Sequence, residues 1–138
     1  MTSAVARAEV ARRFPQAIGM VREATSTLAA RDARLLFGTD TPSAPTYANP
    51  PGLNGLREIR HWAAAGVTPG QIFRAATLVN AQALKLDREI GTVEVGKRAN
   101  LLLLRQDPTQ TIEAYEGIEK VILGGRVLDP VELSADRR

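Results

Sequence analysis

Leu35-Leu36-Phe37-Gly38-Thr39-Asp40 is the stretch on which the reading of this chain turns. Three apolar residues in a row run into Gly-Thr-Asp, and Pro42, Pro45, Pro50, Pro51 and Gly52 then forbid regular structure over 41–52. A short continuous apolar run after a helix predicts a buried parallel strand. Such a strand would end by presenting the Asp40 carboxylate at its carboxy-terminal end.

The flanks agree with a layered α/β architecture. Residues 2–14 are rich in Ala and Arg, with weak helical periodicity at Val5, Ala8 and Val10, and Pro15 punctuates them. From Gln16 to Arg31, the spacing of Ile18, Val21, Thr25 and Leu28 predicts an amphipathic helix with one buried face. Asp32 and Ala33 turn the chain into the apolar run. Beyond the loop, Leu56, Ile59 and Ala63 predict a helix over 53–65, closed by Gly66 in a left-handed cap. Thr68-Pro69-Gly70-Gln71 is a capping box with proline at the first helical position. The helix it starts carries Ile72, Phe73 and Ala76, and Asn80 is read as the cap of a last short helix, Ala81 to Leu86.

After residue 90 the pattern changes. Gly91 to Lys97 reads as turn, strand, turn, and Ala99 to Leu104 as a buried strand. Ile118 to Leu123 and Arg126 to Leu128 read as two strands of a hairpin joined by Gly124-Gly125. The chain therefore divides into a helical segment with one strand, 1–89, and a small antiparallel β segment, 90–138.

Composition excludes several classes. The 138 residues contain no cysteine, which rules out disulfides and thiolate metal sites and fits a reducing cytoplasmic compartment. The net charge of +3 comes from scattered residues, with Arg12-Arg13 and Arg137-Arg138 as pairs rather than a stripe. Aromatics make up 4% and are not interleaved with basic residues, so no nucleic-acid partner is expected. Met1 to Arg7 has no apolar signal core, and no apolar run reaches the roughly 18 residues of a membrane helix.

The order and spacing of several motifs resemble the carboxy-terminal part of amidohydrolase-superfamily enzymes, in their imidazolonepropionase-like and prolidase-like branch. The residues that carry this are Gly38-Thr39-Asp40, Ala65-Gly66-Val67-Thr68-Pro69, Arg74-Ala75-Ala76-Thr77, Asn80-Ala81, Leu84, Ile90 to Ala99, and Val121 to Val127. They span about two thirds of the chain. The resemblance implies the last strand and helices of a TIM-barrel-type metal-dependent hydrolase, followed by a small antiparallel β part of a composite sandwich domain. It implies one or two divalent metals, zinc foremost, at the mouth of the complete barrel, and a small-molecule amide substrate. By resemblance Asp40 matches the aspartate that ends the eighth strand, contacts the metal and acts as general base on its bound water. A metal lowers the pKa of bound water toward about 7, and a nearby carboxylate can then move the proton.

The departures are as informative. The family's first-strand His-x-His pair, its bridging lysine or carboxylate and its two later histidines are missing. His61 is the one histidine, lies in a predicted helix beside Trp62, and matches no family motif. Asn100 stands where the family usually has aspartate, at a structural position in the sheet. Zinc takes about four ligands, which one carboxylate does not supply. Two functions are compatible with this. In one, the chain is part of a hydrolase of C–N bonds (amide, cyclic amide or dipeptide) and is inactive until other strands complete the barrel. In the other, it is a non-catalytic remnant or interaction module. One strand cannot close a barrel, and its unpaired edges invite self-association or a complementary chain.

Overall fold

The computed structural model describes residues 3–40, 52–129 and 133, with the side chains of 3–14 excepted. The proline-rich loop 41–51, the side chains of the weakly periodic stretch 2–14 with Arg12-Arg13, and Arg137-Arg138 lie outside the described residues. The elements run α1 (Ser3–Ala30), α2 (Leu53–Ala64), α3 (Pro69–Arg74), a π-helical turn (Ala75–Val79), α4 (Asn80–Ala83), β1 (Leu101–Leu104), a 3-10 helix (Ile112–Glu116), β2 (Ile118–Leu123) and β3 (Arg126–Leu128). The architecture is α/β with a small antiparallel sheet. Among the described residues no helix is long and apolar enough to cross a membrane.

Local chemistry explains the element ends. α1 closes on Asp32 at φ 49°, with Asp32 N–H donating to Ala29 C=O (3.0 Å) and Ala33 N–H to Leu28 C=O (3.0 Å). α2 closes the same way on Gly66 at φ 86°, with Gly66 N–H to Ala63 C=O (2.9 Å) and Val67 N–H to Trp62 C=O (3.1 Å). Both are Schellman motifs, which satisfy the orphan carbonyls of a helix end and turn the chain sharply. Thr68 and Gln71 form the expected reciprocal capping box, with Pro69 at the start of α3.

Two stretches of helix differ from expectation. Pro15 does not end a helix but lies inside α1. A proline removes one intrahelical hydrogen bond and disfavours the helix, yet it can be carried within a longer one. The stripe of α1 is not a buried face either: Ile18, Val21 and Leu28 are 52%, 67% and 46% exposed, and Ala29 is the residue of its last turn that enters the core. α1 meets the rest of the described chain at its carboxy-terminal end, where Arg22 donates to Ala64 C=O (2.5 Å). No described element covers its apolar stripe.

The core lies where α1, α2, α3 and the 3-10 helix converge. Ala29, Ile59, Val67 and the fully buried Ile72 form it, with Leu35, Phe37, Trp62, Ile112 and Tyr115 packed around them. The hydroxyl of Tyr115 is buried and has no hydrogen-bond partner among the described residues. Burial pushes its pKa above the usual value of 10.0. Because the folded state resists ionisation, stability is fully present below about pH 10 and declines as pH rises beyond it. Tyr115→Phe removes an unsatisfied hydroxyl, and is expected to be as stable as wild type at pH 7 or more stable by up to about 1 kcal/mol, and to blunt the alkaline decline. A thermal scan of both proteins at pH 7 and pH 11 checks this, and a clearly lower melting temperature for the variant at pH 7 would refute it.

The sheet has the order β1-β2-β3, all antiparallel. Leu101 pairs with Ile122 and Leu102 with Val121, with a register shift between Leu103 and Leu104. Gly124 and Gly125 sit at φ 57° and 84°, which suits the tight hairpin turn expected of them. Asn100 accepts from Gly124 N–H (2.8 Å) and so ties β1 to that turn, a structural role. The expected strand between Gly91 and Lys97 is absent. Residues 91–97 carry bends and turns, and Val93 and Val95 are exposed, because no described strand is there to pair with them.

Candidate functional site

Residues 33–39 leave the end of α1 as an extended stretch, but they are not a paired strand. The expectation of a buried parallel strand is corrected on this point. A ladder needs neighbours, and the sheet of the described residues contains β1, β2 and β3 alone. Burial alternates instead of being continuous: Ala33, Leu35, Phe37 and Thr39 are half-buried, while Arg34, Leu36, Gly38 and Asp40 face out. Period two is what an extended chain shows when one side rests on a core.

Leu35 and Phe37 supply the inward side. The Phe37 ring meets Trp62 of α2 edge to face, with centroids 5.5 Å apart and planes at 71°. The indole N–H of Trp62 donates to Glu58 Oε1 (2.7 Å), which orients the ring. The backbone of the segment is held by two amide side chains. Asn80 Oδ1 accepts from Phe37 N–H (3.1 Å), and Asn80 Nδ2 donates to Phe37 C=O (2.8 Å). Asn54, in the first turn of α2, donates from Nδ2 to Thr39 C=O (3.2 Å).

Asn80 is therefore not a helix cap. It has helical angles (φ −61°, ψ −46°), and its N–H bonds back to Ala75 C=O across the π turn. Asparagine in a helix interior is a poor helix former, and that is the signal in the sequence that could have marked its side chain for another task. Asn54 carries no comparable signal.

Asp40 ends the described segment, exposed, at φ 45°. A residue other than glycine in the left-handed region is uncommon, and aspartate is among the few that tolerate it. His61 lies on α2 and is exposed. Among the described residues no three His, Cys, Asp or Glu side chains come together as they would to hold a metal ion.

Comparisons with known proteins bear on this geometry. The profile of the amidohydrolase family matches residues 16–128, a span that includes Asp40, Asn54 and Asn80. The chain is 30% identical over 106 residues to adenine deaminase 1 of Latilactobacillus sakei, covering 77% of this chain and 16% of that protein. It is 34% identical over 56 residues to an imidazolonepropionase of Brevibacillus brevis, covering 41% of this chain and 13% of that one. A Bifidobacterium longum structure assigned as a prolidase superposes with a TM-score of 0.60 at 34% identity, over 75% of this chain and 25% of that chain. The chain thus spans a quarter or less of the length of each of these proteins.

Proposed function

The chain belongs to the amidohydrolase family, and from that membership we propose that it supplies the last-strand portion of a metal-dependent hydrolase of C–N bonds, with Asp40 as the proton-transfer carboxylate. The observation that carries this is the position of Asp40. It stands within the matched span, exposed, at the end of an extended segment whose backbone is tethered from two helices. A carboxylate in that place can take a proton from an attacking water and return it to the leaving nitrogen.

The family is generally metal-dependent, but the described residues do not by themselves fit a divalent metal. Zinc takes about four ligands, and Asp40 offers one carboxylate with no clustered partners among the described residues. In this reading the remaining ligands come from other strands of a completed barrel, and the chemistry assigned to this chain is that of Asp40 alone. A second reading, a non-catalytic interaction module, is favoured by the state of the extended segment: Leu36 is 55% exposed, and residues 33–40 pair with no described strand. Both readings expect the chain to associate with itself or with a complementary chain.

Capture of the tagged chain from its own cells separates the two. The captured material is assayed with imidazolonepropionate and adenine, the compounds named in the relatives, and with proline dipeptides. The catalytic reading expects hydrolysis by the captured assembly and none by the purified chain alone. A captured partner with no hydrolysis on any substrate would favour the interaction module, and turnover by the purified, monomeric chain would overturn both.

A further inference from the structure

We propose that Asn80, with Asn54 in support, is the positioning residue of this site: the two amides fix the backbone that carries Asp40 and so set where its carboxylate points. The inference rests on the reading of Asp40 as the working carboxylate.

A primary amide has one acceptor oxygen and an N–H₂ donor on one plane. An extended residue presents its own N–H and C=O on one edge. Asn80 meets both at Phe37, at 3.1 and 2.8 Å, and so makes the pair of bonds that a neighbouring strand would make. Asn54 holds Thr39 C=O two residues further on. The two tethers bracket Gly38, the residue whose backbone is freest to swivel the end of the segment. Asp40 comes directly after in the left-handed conformation, which persists where the surroundings determine it.

The path of the helix is adapted to this contact. The π turn Ala75–Val79 sits immediately before Asn80, and such turns recur at functional sites. Gly91 packs so closely on the same stretch of helix that a Cβ there would lie 2.6 Å from Ala81 Cβ and 3.2 Å from Leu78 Cα. Asn80 thus follows directly on the π turn, in a stretch of helix that Gly91 packs closely against.

Two readouts on the 138-residue chain test the proposal, neither of which needs an active assembly. Hydrogen exchange reports the Phe37 amide, and the ¹³Cα and ¹³Cβ shifts of Asp40, in solution or in sedimented material, report its left-handed backbone. In Asn80→Ala the Phe37 amide is expected to exchange roughly five- to tenfold faster, and the Asp40 shifts to move away from left-handed values. Asn54→Ala moves Asp40 in the same direction with Phe37 still protected. Asn80→Asp keeps an acceptor for Phe37 N–H but sets a second carboxylate oxygen against Phe37 C=O, so protection at Phe37 is expected to fall between that of Asn80→Ala and wild type, with the Asp40 shifts moving as in Asn80→Ala. Should Asn80→Ala fail to fold, Asn54→Ala and Asn80→Asp carry the test. Unchanged Asp40 shifts in the folded alanine variants would overturn the proposal, leaving Asn80 as a tether of the core alone. Retained hydrolysis in Asp40→Asn is a different result: it would remove the role of Asp40 without altering either readout.

Discussion

Asp40→Asn is expected to slow C–N hydrolysis by the completed assembly about 10²- to 10⁴-fold, the usual contribution of a positioned acid–base group. The same change is expected to leave the unfolding transition of the chain within about 0.5 kcal/mol of wild type. The contrast has a local structural cause. Asparagine is nearly isosteric with aspartate and tolerates the left-handed region at least as well, so φ 45° is retained. The side chain is exposed, so no core contact is lost. What disappears is the capacity to accept a proton. Steady-state rates on captured assemblies, paired with denaturant melts of the chain, check both halves. A variant that hydrolyses at the wild-type rate would remove Asp40 from the chemistry. A variant that also unfolds early would show that the carboxylate serves the fold.

Gly91→Ala is expected to cost about 3 kcal/mol of stability, the sum of a left-handed penalty and an overpacking penalty. Gly91 has φ 97°, and a methyl there would sit 2.6 Å from the Ala81 Cβ and 3.4 Å from Thr77 C=O. Relief would require moving the helix backbone, because Ala81 is short and Leu78 is approached at its Cα. Gly96→Ala is the matched control. Its φ is 93°, and nothing lies within 4 Å of a built Cβ, so it should show the conformational penalty alone, about 1–2 kcal/mol. Urea titration of the two variants measures the difference. Equal losses would mean that the contact at Ala81 relaxes freely.

How much of this could be read from the chain depended on how local each cause is. The capping box at Thr68, the left-handed cap at Gly66, the turn at Asp32 and the Gly124-Gly125 hairpin are set by residues within a few positions of one another, and each was legible. Gly91 to Lys97 and the apolar run at Leu35 are β-like in composition, but a strand exists only if another lies beside it, and sequence spacing does not supply the neighbour. The stripe of α1 failed for the same reason: periodicity shows which face can be buried, not what would bury it. At the site, Asp40 was reached through the string of motifs around it. Asn80 was misread because its task is set by Phe37, 43 residues away, and by a π turn that no local pattern announces.

A π turn accommodates one residue more than an α-helix would hold in the same length, while a regular helix turns about 100° per residue. Between Ala75 and Val79 the chain absorbs that surplus residue without rotating the helical turn that begins at Asn80. A sequence one residue shorter here, wound as plain α-helix, would still aim its asparagine at the extended segment. An alignment that forbids a gap in a helix would set the shorter chain out of register from this point, and would pair Asn80 with the wrong neighbour although the two asparagines occupy the same place in space.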